Sequence, residues 1–393
     1  MPVANAIAAM ADELAAWRQD LHRHPELGYE EHRTAQVVAD KLRAFGFDAV
    51  ETGVGGTGVV GVLHGRSGAG AGTAAPIMLR ADMDALPIEE TTGAPYASTV
   101  PGKMHACGHD GHTTMLLGAA KRLAETRAFE GTVYFCFQPA EEGGAGAAAM
   151  MKDGLFERYP AARVFGMHNW PGLPVGHFAL ADGPVFAAAD EFTITLHAAG
   201  GHAAFPSTTR DPIVAGSALV QAIQSIVSRV VEPLQPAVVS ITQFNAGFTH
   251  NVIPDRATLC GTTRSFDAGV QATIIEEMRR LCEQIGGAYG VEVTLKRGPL
   301  PYPATVNDLE VTDFTEGAMR AIFGDATITR GHPPTMGGED FAFLSQEVPG
   351  AYVLIGNGDS AALHHPAYDF DDGALPAGVA FWSGLVERAL PLP

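Results

Sequence analysis

Apolar residues recur at helical spacing from Ala11 to Leu21, break off at His24-Pro25-Glu26-Leu27-Gly28, and resume from Arg33 to Phe45 before stopping at Gly46. Short apolar runs at Val59–Leu63 and Ile77–Leu79 predict strands. Between them Gly65–Ala75, rich in glycine and alanine and without periodicity, predicts a surface loop. His112–Leu123 predicts a helix, Thr132–Gln138 (TVYFCFQ) a buried strand and Val164–Met167 another. Strands alternating with helices point to a layered α/β domain. The character changes near Pro184. Phe192–His197 alternates apolar and polar residues as a half-buried strand does, Pro212–Val231 reads as a long helix, and Val238–Phe244 and Ala257–Arg264 read as strands. Ala268–Tyr289 is again helical and Val291–Leu295 again extended. This β-α-β-β-α-β order fits a ferredoxin-like α+β sandwich. After about Pro299 longer helices and short strands resume. The organisation that follows is a small domain, residues 186–296, inserted into a larger α/β domain made of residues 1–185 and 297–393.

A chain of 393 residues exceeds one ordinary core, in keeping with two domains. Its 46% hydrophobic and 18% charged residues describe a globular protein, and its 46 glycines predict many tight turns. A formal net charge of −19 argues against a basic face for nucleic acid or for an anionic membrane. The four cysteines, Cys107, Cys136, Cys260 and Cys282, form no CxxC pair, so no secreted disulfide framework is expected. Cys136 and Cys260 lie in apolar runs and read as core thiols. Asp12, Glu13 and Asp20 interrupt the N-terminal stretch, which reads as an amphipathic helix and not as a signal peptide. No uninterrupted apolar run is long enough to cross a bilayer, and cytoplasm is the expected compartment.

Chemistry concentrates in four places. Met104-His105-Ala106-Cys107-Gly108-His109-Asp110-Gly111-His112 packs a thiol, three imidazoles and a carboxylate into nine positions at the mouth of a predicted helix. One such histidine alone would read as a solvated ring and Asp110 as a helix cap. The cluster reads as transition-metal ligands. Gln138-Pro139-Ala140-Glu141-Glu142-Gly143-Gly144 follows a strand, where loops of α/β sheets hold ligands. An adjacent Glu-Glu pair is usually a solvated face, but next to a metal one carboxylate can ligate while the other moves protons. His168 ends the apolar Val164–Met167 run, and His364-His365 precedes a proline near the C-terminus.

HRHPELGYEE (His22 to Glu31), LRADMDALPI (Leu79 to Ile88), MHACGHDGHT (Met104 to Thr113), QPAEEGG (Gln138 to Gly144), GHAAFP (Gly201 to Pro206), NVIPD (Asn251 to Asp255), GTTRSF (Gly261 to Phe266), GGEDFA (Gly337 to Ala342) and LHHPAYDFDD (Leu363 to Asp372) occur in that order. In these segments the chain resembles the amidohydrolase branch of the aminoacylase/carboxypeptidase metallopeptidases, the branch of hippurate hydrolases and auxin–amino acid conjugate hydrolases. The resemblance implies a catalytic domain formed by both chain ends and an inserted lid that joins subunits into a homodimer or higher homo-oligomer. It implies two divalent ions per subunit (zinc, manganese or cobalt), with Cys107 bridging, His109 and His168 completing one site, and Glu142 and a C-terminal histidine the other. The family's L-H-x-P pattern selects His364, with His365 the alternative. Glu141 becomes the general base and Asp82 the carboxylate that orients a ligand. Sibling branches carry a histidine ligand where Arg80 stands, and His109 takes its place. His202 becomes an oxyanion donor across a dimer interface, Asn251 and Arg264 hold the substrate's α-carboxylate, and Gly337-Gly338-Glu339-Asp340 shapes the pocket rim. The implied reaction is hydrolysis of the amide bond of N-acyl amino acids. One alternative is an exopeptidase, with Glu339 or Asp340 meeting the free amino group. Another is a non-catalytic metal-binding interaction module, against which the presence of Glu141 counts.

Overall fold

Four strands lie side by side and parallel in the computed structural model, which describes residues 5–68 and 75–393. They are Thr132–Gln138, Ile77–Asp82, Arg163–Trp170 and Gly350–Gly356, in that spatial order, and all are buried apart from the two ends of Arg163–Trp170. Near-continuous burial of this kind is what a parallel sheet covered on both faces demands. Gly58–His64 and then Ala49–Val54 extend one side antiparallel. Phe178–Leu180 and Ile328–Arg330 extend the other, giving eight strands. The Gly65–Ala75 loop expected from sequence falls largely on residues 69–74, outside the described residues.

Helices Ala11–Arg23, His109–Thr126 and Leu375–Ala389 cover this core. They approach so closely at Gly118 that a Cβ there would stand 2.5 Å from Val379 Cγ2 and 2.7 Å from Leu14 Cδ2. The helix expected at His112 in fact begins at His109. Gly108, at φ +86°, turns the chain into it, while Gly111 lies inside the helix, where a Cβ would collide with the Phe370 ring. Because the four parallel strands point the same way, their carboxyl ends share one edge of the sheet. Asp82, the Glu141–Gly144 turn and His168 gather there.

The chain divides into two units. One comprises Met1–Val185, Val306–Pro333 and Asp340–Pro393, and the other Phe186–Thr305 and Pro334–Glu339. The second therefore runs past the expected end at residue 296. Tyr302 keeps the later residues with it, exchanging backbone hydrogen bonds with Ala189. Within it, four antiparallel strands take the order Ala237–Ala246, Arg256–Ser265, Ala188–His197, Glu292–Arg297. This is the ferredoxin-like order. Helices Pro212–Ser225 and Ala268–Tyr289 pack on one face through Leu219, Ile223, Ile274 and Met278 against Ile194, Leu196 and Leu259. Strand Arg256–Ser265 alternates buried and less buried residues along its length. That alternation corrects one expectation: Cys260 falls on the half-buried positions, beside the Thr193 hydroxyl, and is not a core thiol. The long helix expected from Pro212 to Val231 is α-helical to Ser225 and finishes as a wider turn, Ile226–Val230.

Candidate metal centre

Gly108 sets the geometry of the first donors. A side chain there would stand 2.2 Å from Asn169 Nδ2 and 2.6 Å from the Tyr368 hydroxyl, so only glycine admits this packing. Cys107 precedes the turn, and His109, Asp110 and His112 follow it, all four buried. Asn169 holds the turn from below. Its Nδ2 donates to the Cys107 carbonyl at 2.6 Å, and its Oδ1 accepts from Tyr368 at 2.5 Å. His168, on the adjoining strand, donates Nδ1–H to the Asn169 carbonyl at 2.6 Å, which leaves Nε2 as the lone-pair nitrogen, 3.4 Å from Cys107 Sγ.

Two donor groups share the thiol. Ligand atoms of Cys107, His109 and His168 lie within 4.8 Å of one another, and so do those of Cys107, Glu142 and His364. His364 takes a left-handed φ of +65° and is tied down by its N–H to the Ala106 carbonyl, and its Nε2 stands 3.1 Å from Glu142 Oε1. His365 belongs to neither group, and its Nδ1 accepts from the Ala367 N–H in its own loop. Glu141 is buried, with a carboxylate oxygen within 4.8 Å of the ligand atoms of His109 and Glu142. The donors fit metal ions on their own chemistry. His109 Nε2 is buried without a hydrogen-bond partner, and a Cys/His/His and a Cys/Glu/His set joined at sulfur suit two divalent transition ions.

Protons occupy some of these donors. Burial, then Glu142, Glu141 and Asp82, push the Cys107 thiol well above its ordinary value. Burial opposes a charge on His109, but Asp82, Asp84 and Glu142 outweigh it and raise the ring to about 10. Burial, then His112, holds His168 well below its usual value, hence neutral. If Cys107 and His109 are cation ligands, binding at neutral pH must displace their protons. Calorimetric titration of a divalent ion at pH 7, in buffers of different ionisation enthalpy, is expected to show release of about two protons per subunit. Since both groups hold their protons below their raised pKa values, apparent affinity should climb as pH rises. An affinity flat between pH 6 and 9 would contradict this.

The sequence singled out Asp82 as the orienting carboxylate. The structure places Asp82 Oδ1 on His112 Nδ1–H at 2.6 Å and Oδ2 on Arg80 at 2.8 Å, with His109 Nε2 no nearer than 3.8 Å. Asp84, which sequence reasoning missed, lies closer. Its Oδ1 faces His109 Nδ1 at 3.2 Å, and its Oδ2 accepts the Glu142 N–H at 2.9 Å, so one carboxylate ties both donor groups together. The available signal was its place two residues after Asp82 in LRADMDALPI. His112, a member of the original cluster, accepts the Asn169 N–H at Nε2 and is thereby fully engaged.

The remaining candidates lie in the other unit. His202 pairs with Val252 across a two-residue ribbon, and Ala203 N–H donates to the Asn251 carbonyl, so His202 and Asn251 are neighbours, with His202 exposed. Arg264 is separate from them, eight residues along its strand from Arg256. There its Nε donates to the Met336 carbonyl at 3.1 Å and its Nη1 to the Thr263 carbonyl at 2.9 Å. It lines an open groove of about 790 Å³ with Glu191, His197, Arg256, Lys296 and Arg297.

Residues 78–388 match peptidase family M20/M25/M40. The chain is 41% identical over 385 residues to the hippurate hydrolase of Campylobacter jejuni, covering 98% of each. It is 40% identical over 379 residues to an N-acetylcysteine deacetylase of Bacillus subtilis, covering 96% and 97%. Among solved structures it resembles a dinuclear metal-binding peptidase of family M20 from Bacillus subtilis. That likeness has a TM-score of 0.83 and 35% identity over 98% of this chain and 99% of the other.

Proposed function

As a member of peptidase family M20/M25/M40, in its amidohydrolase branch, this chain is a metal-dependent amidohydrolase, and we propose that its substrates are N-acyl-L-amino acids of the hippurate kind. The observation that carries the proposal is the buried Glu141 carboxylate beside two donor groups that share Cys107. Relatives named for hippurate hydrolysis and for N-acetylcysteine deacetylation support a small acyl group on an amino acid.

In this reading Cys107, His109, His168, Glu142 and His364 hold two divalent ions, zinc, manganese or cobalt. Such ions supply an acidified water and polarise the amide carbonyl. Glu141 removes the proton from the attacking water and returns it to the leaving amine, releasing a carboxylic acid and a free amino acid. Asn251 and Arg264 hold the α-carboxylate: Arg264 with Nη2, since its Nε and Nη1 donate to the Met336 and Thr263 carbonyls, and Asn251, the neighbour of His202, from the second copy that brings His202. His202 supplies an oxyanion donor from a second copy of the chain. A homodimer is supported by the apolar surface of the second unit. Much of the helical stretch Pro212–Val230 is not buried, and Ile213, Val214, Leu234, Phe244 and Phe248 are exposed. A monomer in sedimentation at micromolar concentration would overturn that part. Four unpaired cysteines favour the reducing cytoplasm.

The test is amine release from N-benzoyl-glycine, N-acetyl-methionine, an indole-acetyl amino acid and several dipeptides, each with zinc, manganese or cobalt. Turnover of the N-acyl amino acids supports the proposal and ranks the acyl groups. Turnover of dipeptides alone would replace it with an exopeptidase.

A further inference from the structure

The turn that carries Glu141 and Glu142 is strained at both ends. Ala140 and Ala145 take φ values of +50° and +51°, and Gly143 between them takes +80°. The left-handed region is unfavourable for alanine, and such a conformation persists only where its surroundings over-determine it. Four side chains do so. Glu31 Oε1 accepts the Ala140 N–H at 2.8 Å, Asp84 Oδ2 accepts the Glu142 N–H at 2.9 Å, and Asp340 Oδ2 accepts the Ala147 N–H at 2.9 Å. The Tyr29 hydroxyl donates to the Gly144 carbonyl at 2.7 Å.

Tyr29 and Glu31 come from the HRHPELGYEE segment, which has no part in the donor groups. Glu31 is fully buried, and its second oxygen accepts the Thr57 hydroxyl at 2.5 Å, so its first is fixed in place. Tyr29 is different. It is 42% exposed, so core burial does not explain its position, and it holds a left-handed φ of +64° itself. Its ring lies between Gly56 and Gly144, where a Cβ on either would come within 3.1 Å of ring atoms. The two glycines leave room for the ring to reach the turn.

We propose that Tyr29 and Glu31 are positioning residues that clamp the Glu141–Gly144 turn from outside and so set where the proton-transferring carboxylate stands. The inference rests on the reading of Glu141 as the base. Tyr29→Phe removes one exposed hydroxyl and keeps the ring, so the fold should survive intact. The expected result is a kcat lower by ~10-fold, with KM, metal content and melting temperature unchanged, because a small displacement of a reacting group is costly. In a Glu141→Gln background the same substitution should have no further effect on the residual rate, since Tyr29 acts through Glu141. Tyr29→Phe with full activity would overturn the proposal. An equal loss in both backgrounds would also overturn it, because the hydroxyl would then act elsewhere. If instead Glu141→Gln alone kept full activity, the base assignment would fail, and with it this inference. Glu31→Gln provides the second variant: it retains an oxygen for the Ala140 N–H and should keep more activity than Glu31→Ala at equal metal content. Equal losses in the two would count against Glu31.

Discussion

Replacing Glu141 with glutamine is expected to lower kcat by about 10²–10⁴-fold, the usual contribution of a positioned acid–base group. Glutamine keeps the shape of the side chain, so the turn and the neighbouring Glu142 should stay in place. The carboxamide cannot take a proton from water and hand it to the leaving amine, so the loss should fall on kcat and not on KM. Circular dichroism and metal content would establish that the variant is folded and loaded. Steady-state kinetics on the best N-acyl amino acid then read the effect, and a loss below about tenfold would remove Glu141 from the proton-transfer role. Glu141 touches the donor groups without belonging to the two that share Cys107, which makes this outcome specific.

Arg80→Met is expected to destabilise the protein by about 3–5 kcal/mol, read as a lowered urea midpoint. The guanidinium is fully buried. It donates to Gln138 Oε1 at 2.8 Å, Asp82 Oδ2 at 2.8 Å, Asp340 Oδ1 at 3.0 Å and the Tyr352 hydroxyl at 3.2 Å. Methionine fills the space but takes the guanidinium away from two buried carboxylates, leaving Asp82 with only His109 and His112 beside it. Burial favours protonation of Asp82, and His109, His112 and Arg80 together hold it well below the usual carboxylate range. Arg80→Lys keeps a charge without the planar fork and should fall between the two. Activity should drop as well, since Asp82 orients His112 and Asp340 holds the Ala147 N–H behind the glutamate turn. A midpoint unchanged in Arg80→Met would show that the two carboxylates find protons or solvent at little cost. The Arg80 donors are all taken up by protein acceptors.

Patterning alone carried much of the fold. Thr132–Gln138 and Ala268–Tyr289 have in the structure the limits that periodicity gave them. The first is an apolar run, Val133–Phe137, closed at each end by a polar residue, and the second is bounded by Asp267, whose side chain caps it, and by Gly290 at φ +65°. Gly350–Gly356 was not singled out, because a seven-residue apolar run flanked by glycine carries no period that separates strand from loop. The start at His109 was missed for a different reason: Gly108 and Gly111 look alike in sequence, yet one makes a left-handed turn and the other a packing contact. Motifs named Cys107, His109, Glu141, Glu142, His168 and His364, and the structure brings these six together. Supports such as Asn169 and Tyr29 were illegible, because each acts on a partner far along the chain. Asn169 reaches back 62 residues to Cys107, and Tyr29 reaches forward 115 to Gly144.

The left-handed alanines at 140 and 145 also bear on how such a sequence is kept by selection. Glycine at either position would relieve a backbone cost of about 1–2 kcal/mol, so selection for heat resistance alone would drift toward it. Glycine would also give the turn the freedom that Tyr29, Glu31, Asp84 and Asp340 restrain. Alanine there marks a point where durability and turnover pull in opposite directions, and a stabilised variant that acquires glycine at 140 should be screened for lost turnover before any other property.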